Sequence, residues 1–105
     1  MDYLKYSTFS GLIGETFKIQ LDPSDSITVK LIEAVERGGD QKGKDGSKRE
    51  ECFSIIFQGP VGKSLAQGTY QFHHHRTNDF ALFIVPIGID DSGCHYEAVV
   101  NRLSV

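Results

Sequence analysis

The chain has 105 residues, of which 39% are apolar and 24% are charged, and its net charge is -3 at pH 7. This length fits one domain with a single core of modest size, and the acidic balance argues against a nucleic-acid binder, which needs a concentrated basic face. Two cysteines are too few for a disulfide scaffold or a four-thiolate zinc site. The sequence shows no signal peptide and no run of about 18 apolar residues, so we expect a cytoplasmic protein that does not contact the membrane.

The chain begins with a segment that predicts a helical turn rather than a strand. Residues 7–14 read STFSGLIG, in which Ser7 or Thr8 would serve as the N-cap. Three apolar side chains of this segment would then plug one end of the core: Phe9, Leu12 and Ile13.

Alternating apolar and polar residues then predict two strands, over residues 16–21 and 26–35. A period of two is the mark of a half-buried strand. The DPSDS segment between them combines proline, which fixes φ, with aspartate and serine, which bond to nearby backbone. We expect the two strands to form a hairpin.

Residues 37–50 separate this hairpin from the rest of the chain. The segment is polar, rich in glycine and mixed in charge, so it cannot bury enough apolar surface to offset the entropy of ordering it. We predict one domain spanning residues 1–105, with a mobile loop at residues 37–50.

Four further strands are predicted after the loop, over residues 51–57, 68–76, 79–89 and 94–103. The segment at residues 79–89 is apolar on both faces, which predicts a central or doubly covered strand. Six short strands joined by turns, with no long segment of helical period, predict an all-β fold: a small antiparallel β-barrel or sandwich.

The loop before the fourth strand contains GPVGKS, which looks like part of a phosphate-binding loop. That motif requires a glycine five residues before Gly62, where this chain has Phe57, and a helix after Ser64, where LAQGTY follows. We therefore expect no nucleotide-binding site.

The three consecutive histidines at positions 73–75 are the most conspicuous candidates for chemistry. Neighbouring strand residues point to opposite faces, so if Phe72 faces the core, His74 does too, while His73 and His75 share the outer face about 7 Å apart. His95 should also face outward and could complete a zinc site made of His73, His75 and His95, as in a metal-binding protein or metal-dependent enzyme. The alternative interpretation is that they are polar residues of a solvated face.

Another hypothesis is a small-ligand binder, with the ligand held in the mouth of a barrel and Tyr70, His74 and Tyr96 at the rim. A large cavity would favour this reading, and a packed interior would disfavour it. Cys94 and His95 project to opposite faces of a strand, so they cannot act as nucleophile and base. With no catalytic constellation evident, we expect that the protein is not an enzyme.

Several segments together resemble a family of small bacterial domains of unknown function: FSGLIGETF, FSIIFQGP, LAQGTY, LFIVPIG and YEAVVNR. The resemblance extends over nearly the whole chain, with residues 37–50 as the variable part. It implies a compact β domain in a bacterial or phage setting, and it offers no catalytic residues to carry over.

These observations favour a non-catalytic module that binds a protein partner or assembles with itself, and that needs no cofactor. The physical basis is the segment at residues 79–89, whose second apolar face requires cover from another sheet, from barrel closure or from a partner. An accessory role in a phage-derived or tail-like assembly follows by analogy with other small bacterial β domains.

Overall fold

The computed structural model describes residues 5–36 and 49–104. The chain forms one short helix and six strands: α1 (Tyr6–Ser10), β1 (Thr16–Asp22), β2 (Asp25–Glu36), β3 (Arg49–Gly59), β4 (Gly68–His74), β5 (Asn78–Asp90) and β6 (Gly93–Ser104). All strand pairs are antiparallel, and the sheet closes on itself in the order β1-β2-β3-β6-β5-β4. The all-β prediction is confirmed, and of the two predicted architectures the chain adopts the barrel.

The predicted strands match the observed ones except at their ends. β4 ends at His74, so His75 and Arg76, which the sequence placed in this strand, lie in the turn that leads to β5. The predicted loop at residues 37–50 lies outside the described residues as far as residue 48, and its last two residues begin β3.

The N-terminal helix confirms the predicted helical turn but not its cap. Lys5 occupies the N-cap position, and no side chain there bonds to the helix backbone. Phe9 and Leu12 are buried as predicted, whereas Ile13 is 47% exposed. The ring of Phe9 lies 5.8 Å from that of Phe80 on β5, so the helix covers one end of the barrel.

The barrel interior is filled with aromatic and branched side chains, which are supplied by every second residue of the strands. The ring of Phe17 lies 5.5 Å from that of Phe57 and 6.1 Å from that of Phe80. Phe72 stacks on Phe80 at 5.4 Å. Barrel diameter grows with strand number, and about eight strands already leave an interior that side chains can fill. Six strands therefore enclose a packed core.

The turn between β5 and β6 is formed by residue types that favour tight turns. Asp90 Oδ1 accepts hydrogen bonds from the Ser92 backbone N–H at 2.9 Å and from its hydroxyl at 2.7 Å. These bonds stabilise the carboxylate and lower the pKa of Asp90. Gly93 has φ of 135°, and a Cβ there would collide with the carbonyl oxygen of Gly59. Only glycine fits this position.

β5 lies between β4 and β6, as expected of a central strand, but it is not doubly covered. Its inner face contributes Phe80, Leu82 and Ile84 to the core, while Phe83 on its outer face is 52% exposed. Barrel closure therefore covers one apolar face of this strand and leaves the other open. No helix in the described part of the chain is long and apolar enough to cross a membrane.

Candidate functional site

The structure does not bring together the three histidines that were considered as zinc ligands. His73 on β4 lies opposite Asp79 of β5, and His95 on β6 lies opposite Gly88 of β5. Nine residues of an extended strand separate these two positions of β5, which is about 30 Å at about 3.3 Å per residue. Within residues 5–36 and 49–104 no group of three or more His, Cys, Asp or Glu side chains could hold a metal ion.

The consecutive histidines occupy three different environments. His73 faces outward as expected, and its Nδ1 lies 2.6 Å from Asp79 Oδ1. His74 faces inward as expected, with 2% of its side chain exposed. His75 does not share the outer face with His73, because the strand has already ended; its ring stacks on that of His74 with centroids 4.6 Å apart.

His74 has a structural role, because both of its ring nitrogens are engaged. Nδ1 accepts a hydrogen bond from the Arg76 backbone N–H at 3.0 Å, so this nitrogen carries no proton. In the neutral ring Nε2 therefore carries the proton, and it donates to Glu15 Oε1 at 3.0 Å. The imidazole ties the β4–β5 turn to the segment that precedes β1.

The two tyrosines considered for a ligand site hold the β3–β4 loop instead. Tyr96 is fully buried, and its Oη accepts the Leu65 backbone N–H at 2.8 Å. Tyr70 Oη donates to the carbonyl oxygen of Ala66 at 2.8 Å. Burial disfavours the charged phenolate and raises the pKa of Tyr96.

Tyr70, Tyr96 and His74 do not surround a common opening. His74 is the last residue of β4, four residues beyond Tyr70, and it bonds to the turn at the opposite end of that strand. Between these ends the barrel interior holds the rings of Phe57 and Phe72, whose centroids are 5.0 Å apart. The packed interior is the arrangement that disfavours a ligand in the barrel mouth.

The remaining candidates from the sequence also have ordinary structural surroundings. The segment that looks like a phosphate loop continues into β4 without a helix, as predicted, and Lys63 forms an exposed ion pair with Asp25 at 3.4 Å. Cys52 and Cys94 are free thiols. Cys94 lies opposite Gly59 of β3, and Gly59 is seven residues from Cys52 on that strand. The backbone positions of the two cysteines are therefore about 23 Å apart along the strand direction.

One feature of the described residues that folding does not explain lies on the outer surface, where β2, β3, β6 and β5 run side by side. Their register places four outward side chains in one row: Glu33, Ile56, Glu97 and Val85. Residues directly opposite each other on neighbouring strands have Cβ atoms about 5 Å apart. The row therefore alternates two carboxylates with two apolar side chains.

A second row lies two residues further along each strand. Val35 pairs with Ser54, and Ser54 pairs with Val99. Phe83 follows on β5, two residues from Val85 and on the same outward face. Val35, Phe83 and Val99 are 42%, 52% and 53% exposed. We call the two rows together the apolar face: Glu33, Val35, Ser54, Ile56, Phe83, Val85, Glu97 and Val99.

A β-bulge in β2 builds part of this face. Strict alternation from Ile27, Val29 and Leu31 would place residues 33 and 35 in the interior. The register shifts between Leu31 and Glu33, which turns Glu33 and Val35 outward and Ala34 inward. Sequence reasoning missed the shift, although a glutamate at an inward position was a signal for it.

The carboxylates of the apolar face are not neutralised from within the described chain. Glu33 and Glu97 take part in none of its ion pairs or hydrogen bonds. Glu97 is half-buried between Ile56 and Val85. Neither charge is therefore met by a side chain that the structure describes.

The opposite side of the barrel, formed by β4 and β1 and the first half of β2, carries only polar side chains on its outer surface. The register aligns His73, Lys18 and Thr28 in one row and Gln71, Gln20 and Ser26 in the next. We call these six residues the polar face. None of the exposed large apolar residues of the described chain lies on β1 or β4.

Comparison with known proteins agrees with this fold without assigning an activity. No curated protein and no solved structure matches the chain significantly. A family model described as "Domain of unknown function (DUF6916)" matches residues 4–100, which include α1 and nearly all of the barrel. The match agrees with the resemblance carried by the segments from FSGLIGETF to YEAVVNR. The chain therefore belongs to the DUF6916 family of domains of unknown function.

Proposed function

We propose that the chain is a non-catalytic module that binds a protein partner or assembles with itself, and that the apolar face is its docking surface. One observation carries the proposal: the register gathers Val35, Phe83 and Val99, each about half exposed, around the half-buried Ile56 and Val85. Single exposed apolar residues are ordinary on soluble proteins. A contiguous apolar patch with a polar rim is typical of an interaction site.

The side chains that are capable of acid–base or metal chemistry support a non-catalytic role, because their structural contacts explain their presence. His74 and Tyr96 hold irregular segments onto the barrel, and His73 pairs with Asp79 across β4 and β5. Neither the metal hypothesis nor the barrel-mouth hypothesis gains an observation in its favour, since the residues that each requires lie at separate places.

We also propose that the module acts in the cytoplasm of a bacterial or phage-related setting. Two free thiols fit a reducing compartment such as the cytoplasm. A bacterial or phage-derived origin, and an accessory role in a phage-derived or tail-like assembly, rest on the resemblance of the sequence segments and on analogy with other small β domains.

Site-specific photo-crosslinking in the cell that naturally makes the protein tests the docking surface. The photoreactive residue p-benzoylphenylalanine replaces Phe83 on the apolar face or, as the matched control, Thr28 on the polar face. Both positions are outward and exposed. We expect a defined adduct, with another protein or with a second copy, from position 83 and none from position 28. Absence of an adduct at 83, or the same adducts from both positions, would overturn the proposal.

A further inference from the structure

We infer that the apolar face binds a short segment of another protein in which lysine or arginine side chains stand between apolar ones, rather than a second copy of this chain related by a two-fold axis. The inference rests on the proposed function and deepens it. It follows from the charges within the apolar face, from the position of the cations elsewhere on the barrel, and from the size of the face.

The two carboxylates of the apolar face stand beside its apolar side chains. Glu33 and Glu97 flank Ile56 on both sides, and Glu97 also neighbours Val85. Any molecule that covers these apolar side chains removes water from the carboxylates beside them. A carboxylate that loses its water is costly unless a cation or another donor replaces it. A purely apolar partner is therefore excluded, because it would cover the apolar side chains of this row and leave the two carboxylates beside them with neither water nor a cation.

The cations in the described part of the chain do not pair with these carboxylates. Lys18 lies on the polar face, Lys63 pairs with Asp25, and Arg76 lies near Glu15. Lys30 stands at the border of the apolar face, in the next row with Gln58 and His95, and makes no ion pair with either carboxylate. Among the side chains that the structure describes, none neutralises Glu33 or Glu97, and a cation of the partner would do so.

A second copy of the chain complements the charge of the apolar face less well than a basic partner does. A two-fold axis through the face would bring the same patch against itself. Four carboxylates, Glu33 and Glu97 of each copy, would enter one interface against two border lysines, Lys30 of each copy. Like charges placed together in an interface act against association. A basic segment meets the same surface with opposite charge.

The apolar face is small compared with a standard protein interface. Four strands at a spacing of about 4.8 Å and two rows about 7 Å apart frame a patch of about 14 Å by 7 Å. With its side chains such a patch offers a few hundred Å², which is less than the roughly 800 Å² per partner of a standard protein interface. The face therefore fits a short segment rather than a broad domain surface.

The experiment uses two synthetic peptides of equal length, one alternating leucine with lysine and the other alternating leucine with glutamate. Each is titrated into isotope-labelled protein, and amide chemical shifts give both the location and the affinity of binding. We expect the leucine–lysine peptide to shift amides of the apolar face, above all those of Ile56, Val85, Glu97 and Val99. We expect the leucine–glutamate peptide to leave them in place.

Substitutions separate a specific site from general charge attraction. The double variant Glu33→Gln/Glu97→Gln keeps the side-chain shape and removes both charges, and it should bind the lysine peptide about ten-fold more weakly. The control Asp91→Asn/Asp22→Asn removes the same net charge at exposed positions outside the apolar face, and it should bind almost as well as the natural protein. The unbound amide spectrum of each variant checks that the barrel is intact.

Three results would overturn the inference: equal weakening by both double variants, equal binding of both peptides, or sedimentation of the free protein as a dimer that charge removal at Glu33 and Glu97 strengthens. Each of these leaves the proposed function standing if position 83 still yields a specific adduct. If position 83 yields none, the proposed function fails whatever the peptides do.

Discussion

The apolar face and the polar face are two sides of one barrel, and they share one interior. Behind the polar face lie Ile19 and Phe72, and behind the apolar face lie Ile55 and Ala98, all of them fully or almost fully buried. The inward positions are thus equally apolar on both sides, whereas only one side is apolar on its outward positions. Folding requires the inward residues, because burying them supplies most of the stabilisation. The outward apolar residues need a separate reason, and binding supplies one.

The largest loss of stability is expected from a substitution in the shared interior. Phe57→Ala removes a fully buried ring that contacts both Phe17 and Phe72. We expect a loss of about 3–5 kcal/mol in the free energy of unfolding, as for other buried phenylalanines. Urea denaturation measures it, with Thr28→Ala on the polar face as the control. A near-neutral Phe57→Ala would show that the two faces do not depend on this core.

His73 and His74 are adjacent in the chain, but His73 faces outward and His74 faces inward, so the same substitution should cost more stability at His74. His74→Leu leaves the Arg76 backbone N–H without its acceptor and Glu15 without its donor, which should cost about 1–3 kcal/mol. His73→Leu removes a partly exposed contact with Asp79 and should cost at most about 1 kcal/mol. Equilibrium unfolding of both variants tests the difference. Equal losses would contradict the inward position of His74.

The alkaline limit of stability provides a third test of the interior. The pKa of Tyr96 is raised above 10.0 in the folded protein, so an unfolded chain loses this proton first. The stabilisation is complete below pH 10.0 and declines as the pH rises from there toward the folded pKa. Tyr96→Phe cannot ionise, so its unfolding midpoint should fall less steeply above pH 10.0. If the unfolding midpoints of both proteins fall equally steeply, Tyr96 is not the group responsible for the loss of stability above pH 10.0.

The smallest effect is expected at the apolar face itself. Val99→Thr keeps the branched shape and replaces an exposed methyl with a hydroxyl, so stability should change by at most about 0.5 kcal/mol. The reverse exchange on the polar face, Thr28→Val, is the matched control. Thermal unfolding measures stability, and the photo-crosslink from position 83 measures docking. A large loss of stability in Val99→Thr would mean that the face serves folding rather than binding.

The four histidines show what an alternating pattern can and cannot predict. It assigned His73 outward and His74 inward correctly, because both belong to β4. It misplaced His75, because a period of two does not show where a strand ends and a turn begins. It also joined His95 to the cluster, although facing the same way does not bring residues of different strands together. Pairing sets that distance, and pairing placed His95 near the other end of β5.

Local sequence patterns are enough to identify the six strands, the inward residues of most of them and the residue types that turn the chain at residues 90–93, since each depends on neighbours a few positions apart in the chain. Local patterns do not show that the sheet closes, or that one row aligns four residues of different strands: Glu33, Ile56, Glu97 and Val85. Register joins residues distant in sequence, and the bulge in β2 shifts that register by one residue, which exchanges the inner and outer faces from that point on. The apolar face is the product of that shift and that pairing.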